Sequence, residues 1–238
     1  MPQEELSQQH HNVNHDFSNC NTRPTFARMK VDIWSDVRCP FCYIGKRKFE
    51  AALALFEHRD EVEVEWHSFE LDPNAETRPG ADPADYLADR YGRPREWALE
   101  MHQNVTDTAA EVGLKFNLQD SVIANSFDAH RLIQLAKTEG CADAVEEKLF
   151  EAYFTEGKNI SDHTVLTEAG MAAGLDQLSI QTMLRSTDFT DEVRYDEQMA
   201  QQIGVRGVPF FVFNQKVAVS GAQAPETFLG AMRQAQQK

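Results

Sequence analysis

The sequence predicts an α/β architecture in which a β-α-β unit near the start and a β-β-α unit at the end share one sheet, with a large α-helical insertion between them. Three observations support this. Two alternating apolar runs flank a helical stripe early in the chain. A long middle stretch carries only helical periods. Strand character then returns near the C-terminus as two short runs split by a turn. The chain has 238 residues, 42% of them hydrophobic, which suits one domain with an insertion or two small domains.

The elements follow in order. Residues 30–36 (KVDIWSD) place Val31 and Ile33 on one face and read as the first strand. From Tyr43 a helical stripe of Phe49, Ala52, Leu53 and Phe56 appears, with Lys46, Arg47, Lys48 and Glu50 mostly off it. Residues 62–71 (VEVEWHSFEL) alternate and form the second strand, parallel to the first by the βαβ rule. A Pro-, Asp- and Gly-rich loop leads into the helical stretch, whose stripes include Leu132, Ile133 and Ala136, then Val145, Leu149 and Ala152. Residues 209–213 (PFFVF) and 216–220 (KVAVS) form a hairpin turned by Asn214-Gln215. Pro225 opens a final helix with Phe228, Leu229 and Met232 inward. The sheet domain is thus expected over residues 29–75 and 204–238, and the helical domain over 76–203. Residues 1–28, rich in Asn, Gln, His and Ser without period, read as a disordered tail. Its His10, His11 and His15 read as solvated rather than metal-binding.

A net charge of −15 repels phosphate and disfavours nucleic-acid binding. No apolar run approaches a membrane span. The start lacks the basic and apolar segments of a secretory signal, so a cytoplasmic location is expected. Four cysteines are too few for a disulfide scaffold of this length.

Cys39-Pro40-Phe41-Cys42 sits where the first strand gives way to a helix. There the first sulfur faces the free N–H groups of the opening turn, which favour a thiolate. Cys42, one turn further in, is expected to be more buried and less acidic, and able to attack a mixed disulfide formed at Cys39. Pro40 suits the first helical position. Half a zinc site would need two further ligands, and Cys20 and Cys141 are isolated, so no metal is expected. Asp36 either relays a proton for Cys42 or is a solvated strand-end carboxylate. Asn125 or Ser126 is expected to cap a helix. His130 and Arg131 either line a cleft or pack inside that helix. Pro209, after a Gly-containing approach, should open the third strand.

These motifs resemble a known family. Residues 32–36 (DIWSD), 39–46 (CPFCYIGK), 125–132 (NSFDAHRL) and 207–210 (GVPF) resemble the FrnE-like branch of the DsbA family, and the similarity runs from Met29 to the C-terminus. The resemblance implies a thioredoxin-like fold with an α-helical insertion and disulfide exchange on protein thiols. It implies Cys39 as nucleophile, Cys42 as resolving thiol and Pro209 as a cis-proline. The Pro209 loop would present Val208 main chain to substrate, with Pro40, Phe41, Asn125 and Ser126 as further substrate contacts. It implies no cofactor beyond the redox-active Cys39–Cys42 pair. Glutathione or a thioredoxin-type reductant stands as co-substrate. A second dithiol pair near the C-terminus, described for one relative, is not expected, because no cysteine follows Cys141. Two other readings stay open. Kappa-class glutathione transferases and 2-hydroxychromene-2-carboxylate isomerases share the fold, with a serine near the first-cysteine position. A chaperone-like binding module would use the cleft alone.

Overall fold

The structure, a computed structural model, describes residues 28–237. Apart from Arg28, the tail expected over residues 1–28, with His10, His11, His15 and Cys20, lies outside the described residues. Strand β1 (Met29–Ser35) is central. It pairs in parallel with β2 (Val62–Ser68) and antiparallel with β3 (Phe210–Phe213), and β4 (Val217–Ser220) completes the order β2-β1-β3-β4. The helix between β1 and β2 is α1 (Pro40–Ala54), and α9 (Pro225–Gln236) closes the chain. Seven helices lie between β2 and β3. They are α2 (Pro83–Tyr91), α3 (Arg95–Glu111), α4 (Phe127–Thr138), α5 (Ala142–Phe150), α6 (His163–Ala172), α7 (Gln177–Leu184) and α8 (Thr190–Gln202). This is the α/β order expected from the sequence, with the helical insertion in place.

One sheet face is aromatic. Val31 and Ile33 of β1 lie opposite Phe213 and Phe211 of β3. Phe49 of α1 and Phe228 of α9 cover them, with Phe211–Phe228 ring centroids 4.6 Å apart and Phe49–Phe211 5.6 Å. Between β3 and β4, Asn214 and Gln215 both take positive φ (49° and 57°), the mirror-image turn that matches strand twist, and Lys216 N–H donates to Phe213 O at 2.9 Å.

The second strand ends three residues earlier than the alternation suggests. Beyond Ser68 the backbone turns to other partners: Leu71 N–H donates to the Asp36 carboxylate at 2.8 Å. On the other sheet face, His67 bridges Asp32 (2.9 Å) and Asp196 of α8 (2.8 Å) and stacks on Trp34 at 4.5 Å. Asp196 also accepts from Ser68 N–H and Gln134. Burial opposes charge on His67, but its hydrogen bonds to both carboxylates prevail and raise its pKa. This ion network ties α4 and α8 to the sheet. Asp32, Glu65 and His67 bring three possible metal-ligating atoms within 4.8 Å, with the Lys30 ammonium already paired to both carboxylates.

Lys46 corrects the amphipathic reading of α1. It is 2% exposed, and its ammonium meets Glu50 at 2.6 Å, Asp143 at 3.2 Å and Glu147 at 3.2 Å. Helix α5 supplies two of those carboxylates, so a residue that looks solvated on an isolated helix becomes a buried clasp. Among the described residues no helix is long and apolar enough to cross a membrane.

Candidate active site

The geometry begins with the end of β1. Ser35 closes the strand, and Cys39 N–H donates to Asp36 O at 2.9 Å, turning the chain into α1. Cys39 is the residue before the helix, with extended φ/ψ, and Pro40 takes the first helical position. Proline fits there because that N–H has no intrahelical partner. The Cys39 thiol donates to the Val208 carbonyl at 3.5 Å across the sheet end. The Val208–Pro209 peptide bond is cis, and Pro209 lies just outside β3.

Both sulfurs are buried, Cys39 with 5% exposure and Cys42 with 1%. Phe41 between them is 43% exposed. Burial pushes the Cys42 thiol well up, and neighbouring Cys39 adds to the rise. The neighbouring Asp36 main chain and Ser35 hydroxyl pull the other way without prevailing. Cys42 therefore holds its proton firmly. Cys141, at the start of α5, is half-buried and stands apart from this pair.

Asp36 is not a solvated strand-end carboxylate. It is fully buried, accepts from Arg38 N–H at 3.0 Å and Leu71 N–H at 2.8 Å, and lies 3.5 Å from His130 Nε2. Burial alone would raise its pKa. The close approach and charge of His130, with the two backbone donors, hold the carboxyl below the usual range. His130 and Arg131 pack inside the fold, at 1% and 4% exposure. Arg131 donates to the main-chain carbonyls of Met183, Ser186 and Asp188, staying off the cleft. Asn125 supplies the cap: its Oδ1 accepts from Phe127 N–H at 2.8 Å. Ser126 precedes α4 but makes no side-chain cap bond.

A cavity of about 420 Å³ opens beside Cys39, Pro40 and Phe41. Its walls come from α2, α3 and the end of α5, where Tyr86, Leu87, Trp97, Met101, Tyr153 and Phe154 line it. Residues 151–155 continue α5 as one π-helical turn, a widening common at functional sites. Asn125 and Ser126 are not on this wall. Asn125 braces the loop instead, donating to Ala75 O and receiving a bond from Ser161.

Sequence reasoning missed two residues here. Ser35 Oγ donates to Glu146 Oε1 at 2.6 Å, and Glu146 of α5 is 1% exposed. A signal was present: Glu146 lies three residues before Leu149 and four before Phe150, on the buried face of α5.

Known proteins resemble this chain over the same span. The uncharacterized protein YwbO of Bacillus subtilis (strain 168) is 28% identical over 210 residues, covering 87% of this chain and 98% of YwbO. The probable DsbA oxidoreductase SCO1869 of Streptomyces coelicolor superposes with a TM-score of 0.82 at 40% identity, covering 87% of this chain and 89% of that one. The cytosolic disulfide reductase DsbM of Pseudomonas aeruginosa shares the fold, with a TM-score of 0.58 and 16% identity over 87% and 95% of the two chains. The DSBA-like thioredoxin domain matches residues 30–233, so the strand, the cysteine pair, the helical insertion and the Pro209 loop all fall within it, and the chain belongs to that family.

Proposed function

We propose that this protein is a cytoplasmic thiol–disulfide oxidoreductase or isomerase of the FrnE-like branch, exchanging disulfides with protein thiols. The observation that carries the reading is the sulfur pair at the start of α1. Cys39 faces the Val208 carbonyl at 3.5 Å, and Cys42 is sealed one turn behind it. Cys39 attacks a substrate disulfide and Cys42 resolves the mixed disulfide. Val208 and Pro209 offer main chain to an extended peptide, while Phe41, Leu71 and Tyr91, each at least 43% exposed, give it apolar contact. A low-molecular-weight thiol such as glutathione, or a thioredoxin-type protein, restores the dithiol. In a reducing compartment a pair without a histidine between its cysteines works as reductase or isomerase. The helical insertion, residues 76–203, acts as the wall that selects what reaches Cys39.

Thiol titration tests this reading. Mild oxidation should remove two thiols, Cys39 and Cys42, reversibly, and the reduced protein should speed insulin reduction by a thiol donor. Tight glutathione binding with no pair oxidation would replace this reading with the glutathione-dependent isomerase or transferase. Holdase activity that survives loss of both cysteines, without exchange, would favour a chaperone-like module.

Gly45 makes a related prediction. A Cβ there would lie 2.9 Å from Pro209 Cγ and 3.6 Å from the Ala222 backbone. Gly45→Ala gains about 1 kcal/mol of helix propensity but overpacks the contact at about 1–3 kcal/mol. Stability should change little or fall slightly, while insulin reduction slows several-fold because the Val208 carbonyl is pushed off Cys39. Unchanged turnover beside a raised Tm would show that the loop yields freely.

A further inference from the structure

Arg38 stands immediately before Cys39, at the wall of the aromatic cavity that opens on the nucleophile. Its Nε and Nη1 are buried and have no hydrogen-bond partner. An unmet buried donor is costly, above all on a charged group. The same wall holds a second unmet atom, Nδ1 of His102 in α3. The other charges here are already matched. Arg90 pairs with Asp72 at 2.5 Å. Asp36 accepts from the Arg38 and Leu71 N–H groups and lies 3.5 Å from His130. The Arg38 guanidinium is the charge at this wall left without such a pair among the described residues. We propose that Arg38 determines the specificity of the exchange site by binding a carboxylate carried close to the partner's reacting sulfur. This inference rests on the exchange chemistry proposed above and names the class of disulfide it accepts.

The chemistry of the wall suits that ligand. A guanidinium is a planar fork matched to the two oxygens of a carboxylate. Among Tyr86, Trp97, Tyr153 and Phe154 little water screens the pair. Burial opposes the charge on Arg38, but Tyr153, Asp36 and Tyr86 beside it outweigh burial and raise its pKa, so the cation persists at any working pH. Burial lowers the His102 pKa, so that ring is neutral at pH 7 and offers a hydrogen bond without a second charge. The chain carries −15 overall and repels anions at a distance. A preference for a carboxylate therefore has to come from a local contact. The cavity, about 420 Å³, is of a size that small ligands fill, and it also borders the exposed Phe41. The acid belongs either to a small disulfide or to an acidic side chain beside a cystine in a peptide, and the contact with Arg38 is the same.

The step balances as follows. The Cys39 thiolate attacks the partner sulfur nearer the carboxylate, and the partner's S–S bond breaks. The far half leaves as a thiolate and takes the proton that Cys39 released on ionising. Cys42 then attacks Cys39 Sγ, and the anchored half leaves as a second thiolate that takes the Cys42 proton. The partner disulfide gains two electrons and the cysteine pair loses two.

The test compares single turnovers of the reduced full chain, with Cys20→Ser and Cys141→Ser silencing the other thiols. Two aromatic disulfides are used: Ellman's reagent, with a carboxylate on each ring, and uncharged dithiodipyridine. Arg38→Met should slow the reaction with Ellman's reagent roughly 10–100-fold at pH 7 and that with dithiodipyridine by less than about threefold. Arg38→Lys should recover part of the loss. Circular dichroism checks each fold, and Arg38→Gln decides if the methionine variant does not fold. Short cystine peptides with Asp or Asn beside the cysteine identify the source. An Arg38 effect on the Asp peptide extends the site to acidic protein segments, and an effect on Ellman's reagent alone limits it to small ligands; either supports the assignment. Equal losses with charged and neutral disulfides would place the Arg38 charge on the Cys39 thiolate instead, and no loss with any of them would leave Arg38 a structural residue; both overturn the proposal. A wild-type protein that reduces none of these disulfides would instead remove the exchange reading on which it rests.

Discussion

Cys39→Ser is expected to abolish disulfide exchange, and Cys42→Ser to stop it one step later with the substrate still attached. Thiolate is the attacking species, so activity follows whichever cysteine can ionise and be reached. Without Cys39 only Cys42 remains of the pair. It is 1% exposed and its thiol is held well up, so the rate of insulin reduction should fall by about a hundredfold or more. Cys42→Ser keeps the thiol that faces Val208 but removes the group that releases the product. That variant should accumulate protein–substrate adducts visible by mass on a non-reducing sample and cleared by dithiothreitol. Full turnover in Cys39→Ser would remove the assignment of the nucleophile. Free turnover in Cys42→Ser with no trapped adduct would remove that of the resolving thiol.

Arg131→Met should produce the largest loss of stability. The Arg131 guanidinium, 4% exposed, donates to Asp188 O at 2.8 Å, Met183 O at 2.6 Å and Ser186 O at 2.7 Å, and pairs with Asp128 at 2.8 Å. Those carbonyls belong to the end of α7 and the turn before α8; Met183 O also accepts from the Ser186 N–H and hydroxyl, whereas Ser186 O and Asp188 O rely on Arg131. Methionine fills the volume but leaves Ser186 O and Asp188 O without the Arg131 donor and Asp128 without its pair. Each buried acceptor left unmet costs about 1–3 kcal/mol, so the total should be about 3–5 kcal/mol, or roughly ten degrees in Tm for a domain of this size. Chemical denaturation with a fixed m-value checks the figure. Arg131→Lys, which can serve one carbonyl at a time, should fall between. A methionine variant as stable as the wild type would mean that water satisfies the α7 end.

Much of the fold was legible because its signals are local. Alternation marked β1 and the start of β2, Asn-Gln marked the β3–β4 turn, and Pro225 marked the first residue of α9. The cysteine pair was legible for the same reason: a strand run ending just before Cys39 and a helical stripe following Cys42 place Cys39 at a helix start, and that position governs its chemistry. Tertiary structure decided the states of the polar residues. Ser35 and Glu146 are 111 positions apart, His67 and Asp196 are 129 apart, and Lys46 meets Asp143 across 97. Whether such a side chain is solvated, ion-paired or buried depends on a partner no short window contains. Periodicity therefore left Lys46 on a solvated face and Asp36 between two readings, a proton relay and a solvated carboxylate. The sequence by itself determined where the sulfurs sit on their strand and helix. Only the packing of α4 and α5 against the end of β1 decided that Asp36 and Glu146 are buried and in which direction their carboxyls shift, because burial and hydrogen bonding set the proton affinity of a carboxyl, and both are properties of its neighbours in space.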